Sequence, residues 1–319
     1  MIEYRCFRND DPPRLADVWR DAELGPGALQ PMTSELIEGT VLAKPWFDPA
    51  GLVLAFDGPR AVGFAHAGFG PTADGRNLDR GLGIVFLVAV VPHARKEGIA
   101  DELLGHCEAY LRRNGARRLQ GGGTGAQRAF YLGLYGGADL PGILESSPAL
   151  TGVFGRGGYH VADRIAAVGR RLTGYRPQVS RTQLALRRSM LLRAIDEPPH
   201  RHWWEAATTV GLPLRRYELV GADGMVAASA TFWDRHGLAS CAPGLRWGLL
   251  GVAVPETLRR RGLGHHVLGE ALFDLAQEGA ETVEGQAHEA DPGGCALYTK
   301  LGFAPLALGL VYAKTVSDA

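Results

Sequence analysis

Two short stretches of this chain carry the residue types that hold a phosphate. Arg95-Lys96-Glu97-Gly98-Ile99-Ala100 and Arg259-Arg260-Arg261-Gly262-Leu263-Gly264 both read R-x-x-G-x-[G/A]. Each follows an apolar run ending in Val-Pro (Val91-Pro92, Val254-Pro255) and precedes a long amphipathic stretch. A glycine at a strand-to-helix turn lets the backbone approach a ligand closely. The free N–H groups of the helix's first turn then attract phosphate oxygens. The pattern predicts two pyrophosphate cradles, built on backbone N–H groups of residues 96–100 and 260–264, with arginines adding charge. A single such hexapeptide is a common turn. Its weight here comes from recurring in matching surroundings.

Those surroundings imply an internal duplication. Gly98 and Gly262 lie 164 residues apart. Upstream, Leu52–Phe56 and Ala61–Phe69 read as strands joined at Asp57-Gly58, and Leu214–Val220 and Met225–Trp233 as strands joined at Ala222-Asp223-Gly224. Asp-Gly between apolar runs is a hairpin signal. Interior strands are expected over Ile84–Val91 and Leu249–Val254, where the apolar run is nearly continuous. After each signature the apolar residues recur at helical spacing: Ile99, Leu103, Leu104, Cys107 and Leu111, then Leu263, Val267, Leu268, Ala271, Leu272 and Leu275. Gly115 and Gly279 are the expected ends of these helices. Short strands follow near Arg118–Gly121 and Thr282–Gln286. Gly158 and Gly302, in the last shared element, are 144 residues apart. The first unit therefore carries about 20 extra residues, placed at 128–147. The expected division is 1–172, a linker at 173–182, and 183–319.

Composition excludes several classes. Basic and acidic residues balance at 34 each, which argues against a nucleic-acid partner held by bulk charge. Cys6, Cys107, Cys241 and Cys295 form no C-x-x-C and suggest a reduced, cytoplasmic protein without disulfide or zinc clamp. No apolar run reaches the roughly 18–20 residues of a membrane span. The amino-terminal residues lack the pattern of a signal peptide.

The second unit ends Asp291-Pro292-Gly293-Gly294-Cys295-Ala296-Leu297-Tyr298, then Gly302-Phe303. With the signature and its strand–helix setting, this resembles the GNAT superfamily of N-acetyltransferases, whose last helix reads N-x-x-A-x-x-L-Y-x-x-x-G-F. Asp replaces Asn and Gly replaces Ala. The resemblance covers nearly the whole chain as two tandem copies. It implies an α/β fold of two GNAT-like domains, each a mixed, mostly antiparallel twisted sheet flanked by helices.

The resemblance further implies acetyl-CoA as donor and, as acceptor, the amine of a small molecule. The cofactor contacts it implies are Val252, Ala253, Val254 and 259–264 in the second unit, and Val90, Arg95, Lys96, Gly98, Ile99 and Ala100 in the first. A backbone N–H of the fourth strand, near Val252–Val254, would polarise the thioester carbonyl. Tyr298 would protonate the departing thiolate. The first unit departs from the pattern: Phe154 stands where Tyr298 stands, so this unit is expected to be degenerate unless Tyr131 or Tyr135 replaces the acid. The fourth strands carry no carboxylate, leaving Glu284, His288 and Glu218, or a water chain, as the base. Trp203 and Trp204 are expected on a helix covering the second sheet, unless one of them lines the acceptor pocket. Gly121-Gly122-Gly123 reads as a flexible strand end or as room for the pantetheine arm. Eight arginines between Arg164 and Ile195, with no acid among them, read as a solvated strip paired elsewhere, the alternative being a docking strip for an acidic partner or phosphate. A monomer or homodimer is expected. The alternatives are a non-catalytic acyl-CoA sensor, a mycothiol-synthase-like acetyltransferase, against which the missing fourth-strand carboxylate counts, and aminoacyl transfer, against which the intact cofactor signature counts.

Overall fold

The Asp-Gly breaks fold as hairpin turns in the computed structural model, which describes residues 1–25, 28–132, 141–235 and 245–316. The first unit runs β1 (Ile2–Cys6), α1 (Pro12–Asp21), α2 (Ser34–Ile37), β2 (Leu52–Asp57), β3 (Arg60–Pro71), β4 (Leu78–Val90), α3 (Ile99–Arg113), β5 (Arg118–Gly121), β6 (Ile143–Leu144), α4 (Pro148–Arg156) and β7 (His160–Arg171). The second runs α5 (Arg181–Ser189), β8 (Leu191–Asp196), α6 (Trp203–Thr209), β9 (Leu214–Val220), β10 (Val226–Asp234), β11 (Leu245–Ala253), α7 (Leu263–Gln277), β12 (Ala280–His288), α8 (Pro292–Lys300) and β13 (Ala304–Thr315). The apolar stripes of α3 and α7 are buried as their spacing requires. Gly115 and Gly279, at φ 98° and 94°, follow these helices in a conformation that favours glycine.

The strands form one 13-stranded sheet in the order β1-β2-β3-β4-β5-β13-β7-β12-β11-β10-β9-β8, with β6 paired to β13. Among the described pairs only β4–β5 and β11–β12 are parallel. The order contains an exchange. β7, from the first unit, lies between β12 and β13, while β13, the last strand, lies between β5 and β7. At the centre Ile165 faces Gly309. These positions are 144 residues apart, the same spacing as Gly158 and Gly302. Equivalent residues thus meet each other, and a pseudo-two-fold axis passes between them. Burial follows the exchange: Leu310 and Tyr312 of β13 belong to the first core, Val168 of β7 to the second. Each such side chain contributes roughly 1.5–3 kcal/mol of burial to the other unit's core. Residues 173–180 make the connection, and Arg181 and Thr182, counted with it on the sequence, open α5.

α6 corrects one expectation. Trp204 stacks on Trp46 of the first unit at 3.9 Å and lies in the first core, and Trp203 meets Trp46 edge-on at 5.4 Å. Lys44 donates from Nζ to the Ala207 and Thr208 carbonyls at 3.0 and 2.9 Å, closing the C-terminus of α6. Burial pushes this ammonium down to about 8. The helix therefore joins the two units, and Glu205 on it reaches Arg216 of β9 at 3.9 Å. On β10 Trp233 is fully buried and crosses Gly248 so closely that a Cβ would fall 2.0 Å from its Nε1.

Four of the eight arginines in the strip are engaged within the fold. Arg170 lies over Tyr175, Arg176 over Phe273, and Arg187 and Arg193 pair with Glu270 and Glu218.

Candidate active site

Both signatures build the same turn. Gly98 and Gly262 adopt φ 71° and 80°, directly before α3 and α7, and no side chain caps either helix. The first-turn N–H groups at Ile99 and Ala100, and at Leu263 and Gly264, are left for an outside acceptor. Arg95 and Arg259 each donate from Nε to a strand-end carbonyl, Val90 and Val254, at 3.2 Å. Their first role is therefore to brace the turn. Arg95 also reaches the Ala22 carbonyl and pairs with Glu23 at 3.4 Å. Arg261 donates to the Thr257 carbonyl at 3.3 Å, and Arg260 is exposed at φ 64°. The side chain of Lys96 lies outside the described residues, as do Tyr135 and Cys241.

Beside each turn the sheet opens. β4 and β5 pair only as far as Val85–Gly121, after which β4 runs on to Val90 paired on its β3 side alone. β11 and β12 pair to Gly248–Glu284, after which β11 continues to Ala253. A bulge sits at each opening: the β3–β4 register slips at Phe86 and the β10–β11 register at Leu250. Bulges increase local twist and end pairing. Each leaves one edge of the fourth strand with unpaired backbone groups. In the second unit Val252 and Val254 face α7 and α8: a Cβ on Gly264 would lie within 3.5–3.8 Å of Val254, Leu297 and Val252. In the first unit a cavity of about 180 Å³ occupies the matching place, lined by Val88, Val90, Arg95, Ala100, Val153 and Arg156 among others. An opened strand edge, a glycine turn and an uncapped helix together suit a thin arm ending in a pyrophosphate.

The ionisable groups differ between units. Tyr298 is 8% exposed on α8, edge-on to Phe303 at 5.2 Å. Asp291 caps that helix by accepting from the Gly294 N–H at 3.0 Å. Phe154 occupies the matching place on α4, fully buried and stacked on Tyr312. A Cβ at Gly121 would come within 2.4 Å of Phe154, and one at Gly123 within 2.9 Å of Phe86. Those glycines therefore serve close packing, neither a flexible end nor room for an arm. Glu284 pairs with Arg235 at 2.8 Å and faces Arg246 at 3.6 Å. Glu218 pairs with Arg193 at 2.6 Å. His288 meets Asp163 of β7 at 2.8 Å. In the first unit Tyr131 bonds His66 Nδ1 at 3.0 Å within a cluster of Phe47, Phe86 and Phe130. His66 is wholly buried, and burial pushes it down to about 3.

The acetyltransferase (GNAT) family model matches residues 17–134 and again 185–303. The chain belongs to the GNAT acetyltransferase family. It is an enzyme fold present twice. A tandem GNAT protein from the clavulanic acid biosynthesis pathway has a TM-score of 0.68 at 17% identity, covering all of both chains. A GCN5-related N-acetyltransferase from Sphaerobacter thermophilus has a TM-score of 0.67 at 15% identity, covering 99% of this chain and 96% of that one. The mycothiol acetyltransferase of Geodermatophilus obscurus is 36% identical over 77 residues, 24% of each chain. The match thus spans about a quarter of that curated relative. In both GNAT units the structure brings together turn, open strand and last helix. Sequence reasoning missed Asp163, which belongs to the other unit in chain order and reaches His288 only through the strand exchange. No helix among the described residues is long and apolar enough to cross a membrane.

Proposed function

We propose that the second unit, 183–319 by sequence, transfers the acetyl group of acetyl-CoA to the primary amine of a small molecule, and that the first unit, 1–172, is catalytically degenerate. One observation carries this reading: a tyrosine stands on the last helix of the second unit, and a buried phenylalanine in the first. In the cradle, the N–H groups of 260–264 hold the pyrophosphate, and Arg259 keeps their turn in shape. A free backbone N–H of Val252–Val254 donates to the thioester carbonyl as charge develops there. Tyr298 supplies a proton to the leaving sulfur, and the surplus proton of the new amide nitrogen restores the tyrosine. The first unit keeps a cavity of suitable position and would hold the cofactor without turnover. A reducing cytoplasm suits four cysteines that form no C-x-x-C.

A second reading is acetylation of the amine of a mycothiol precursor, favoured by the local identity to a mycothiol acetyltransferase. Free-thiol release from acetyl-CoA across an amine panel that includes such a precursor tests both. Tyr298→Phe keeps the ring on Phe303 and should lower kcat by about 10²–10⁴-fold while leaving acetyl-CoA affinity nearly unchanged. Full kcat in the variant, with chemistry rate-limiting, removes Tyr298 from the acid role. Binding of acetyl-CoA without turnover of any amine makes the protein a sensor.

A further inference from the structure

We infer that His288 is the general base of the second unit, and that Asp163, supplied by the first unit's last strand, is its positioning residue. The inference rests on the second unit being the acetyltransferase. Along β12 the side chains alternate. Val283 and Ala287 enter the core beneath α7, so Glu284, Gln286 and His288 stand on the opposite face. β12 runs parallel to β11 with Gly248 level with Glu284. Past that last pair β12 runs on to His288 along the opening that separates it from β11, where the thioester carbonyl would be polarised. The cofactor's anchor lies on the α7 side. An amine entering from the other side of the sheet would pass the face that carries His288.

The hydrogen bonds set the tautomer. Asp163 Oδ2 lies 2.8 Å from His288 Nδ1. A carboxylate only accepts, so Nδ1 carries the proton and Nε2 keeps its lone pair. The aspartate is itself held, accepting the Arg164 N–H on Oδ1 at 2.8 Å. The strand end is pinned by Glu289 N–H to the Arg164 carbonyl and Asp291 N–H to the His288 carbonyl, at 2.8 and 2.9 Å. The imidazole is 36% exposed, open to an incoming substrate. The competing carboxylates are engaged by arginines: Glu284 by Arg235 and Arg246, Glu218 by Arg193. In the first unit the residue 164 positions before His288 is Thr124, and the residue 144 positions after Asp163 is Ala307. The dyad, like the tyrosine, occurs once. It exists only because β7 pairs with β12.

The proton balance is simple. The substrate ammonium gives one proton to Nε2, which passes it to solvent. The amine nitrogen attacks the carbonyl carbon, the C–N bond forms and the C–S bond breaks. Tyr298 protonates the sulfur, and the second amine proton replenishes the tyrosine.

The test uses the full chain and an amine that the wild type acetylates. His288→Gln should lower kcat/KM by about 10²–10⁴-fold near neutral pH, with acetyl-CoA affinity within threefold by calorimetry. The deficit should shrink as pH approaches the pKa of the amine, because a free amine needs no base. Asp163→Asn should lower kcat/KM at least tenfold near neutral pH, with the same shrinking deficit at higher pH, because the imidazole is no longer held in its tautomer. A purely structural dyad would give equal losses at every pH, and that result overturns the inference, as does an unchanged acid limb in His288→Gln. Tyr298→Phe, run in parallel, separates the two claims. If it loses kcat while His288→Gln keeps the wild-type profile, the second unit is the enzyme and the base lies elsewhere. If neither variant changes turnover, the assignment of the second unit fails, and the base with it.

Discussion

His66 offers a sharp test of how the first unit uses its burial. The imidazole is wholly buried among Phe47, Phe86 and Phe130, with one nitrogen bonded to Tyr131. Burial pushes it from an ordinary 6.5 down to about 3. The folded protein holds it neutral, while the unfolded chain protonates it below pH 6.5. Between pH 6.5 and 3 the unfolded state therefore binds the extra proton, and stability falls as pH falls. The slope is about 1.4 kcal/mol per pH unit, reaching roughly 5 kcal/mol at the bottom of the window. His66→Leu removes the titrating group and keeps an apolar side chain. It also loses the hydrogen bond to Tyr131, which costs about 1 kcal/mol at pH 7, and some ring packing. The variant should therefore start about 1–2 kcal/mol less stable, and wild type should lose that lead at about pH 5–6. Below the crossing the variant should be the more stable protein. Urea unfolding of both proteins at half-unit steps from pH 4 to 7, read as the difference between the two curves, cancels every other titrating group. Parallel curves over that range would show that the folded protein accommodates the proton, and the desolvation argument would be wrong.

Two further outcomes follow from the turns and the contact between units. Gly262→Val places a β-branched residue at φ 80°, with its Cβ 3.3 Å from Thr182, and should weaken acetyl-CoA binding at least tenfold, about 1.4 kcal/mol, and abolish turnover. Gly98→Val at φ 71° should leave turnover within a few-fold; calorimetry and thiol release check both, and the opposite pattern would make the first unit the enzyme. Lys44→Met leaves two carbonyls at the end of α6 without their donor and should cost about 1–3 kcal/mol near neutral pH, measured by urea unfolding. An unchanged midpoint would mean that the tryptophan stack alone holds α6.

Much of this architecture is written locally. A glycine before an amphipathic stretch, an Asp-Gly between apolar runs and a tyrosine seven residues after an aspartate cap are each decided within a few residues. Hairpins, signature turns and last helices could therefore be located on the chain, as could the duplication itself, which shows as matching order at spacings of 164 and 144. Pairing partners are another matter. β7 and β13 carry equivalent patterns, and nothing within either states whether it closes its own sheet or the other's. That choice rests on the sum of long-range burial across both cores, which places Leu310 and Tyr312 in one and Val168 in the other. The same holds for α6, whose two tryptophans meet Trp46 of the first unit. It holds most for Asp163 and His288, which are 125 residues apart and on different units. The sequence by itself determined that this chain is built twice from one acetyltransferase pattern, and which copy keeps the tyrosine. Only the tertiary structure decided that the copies trade strands, because strand pairing is won by total buried surface and not by any local signal.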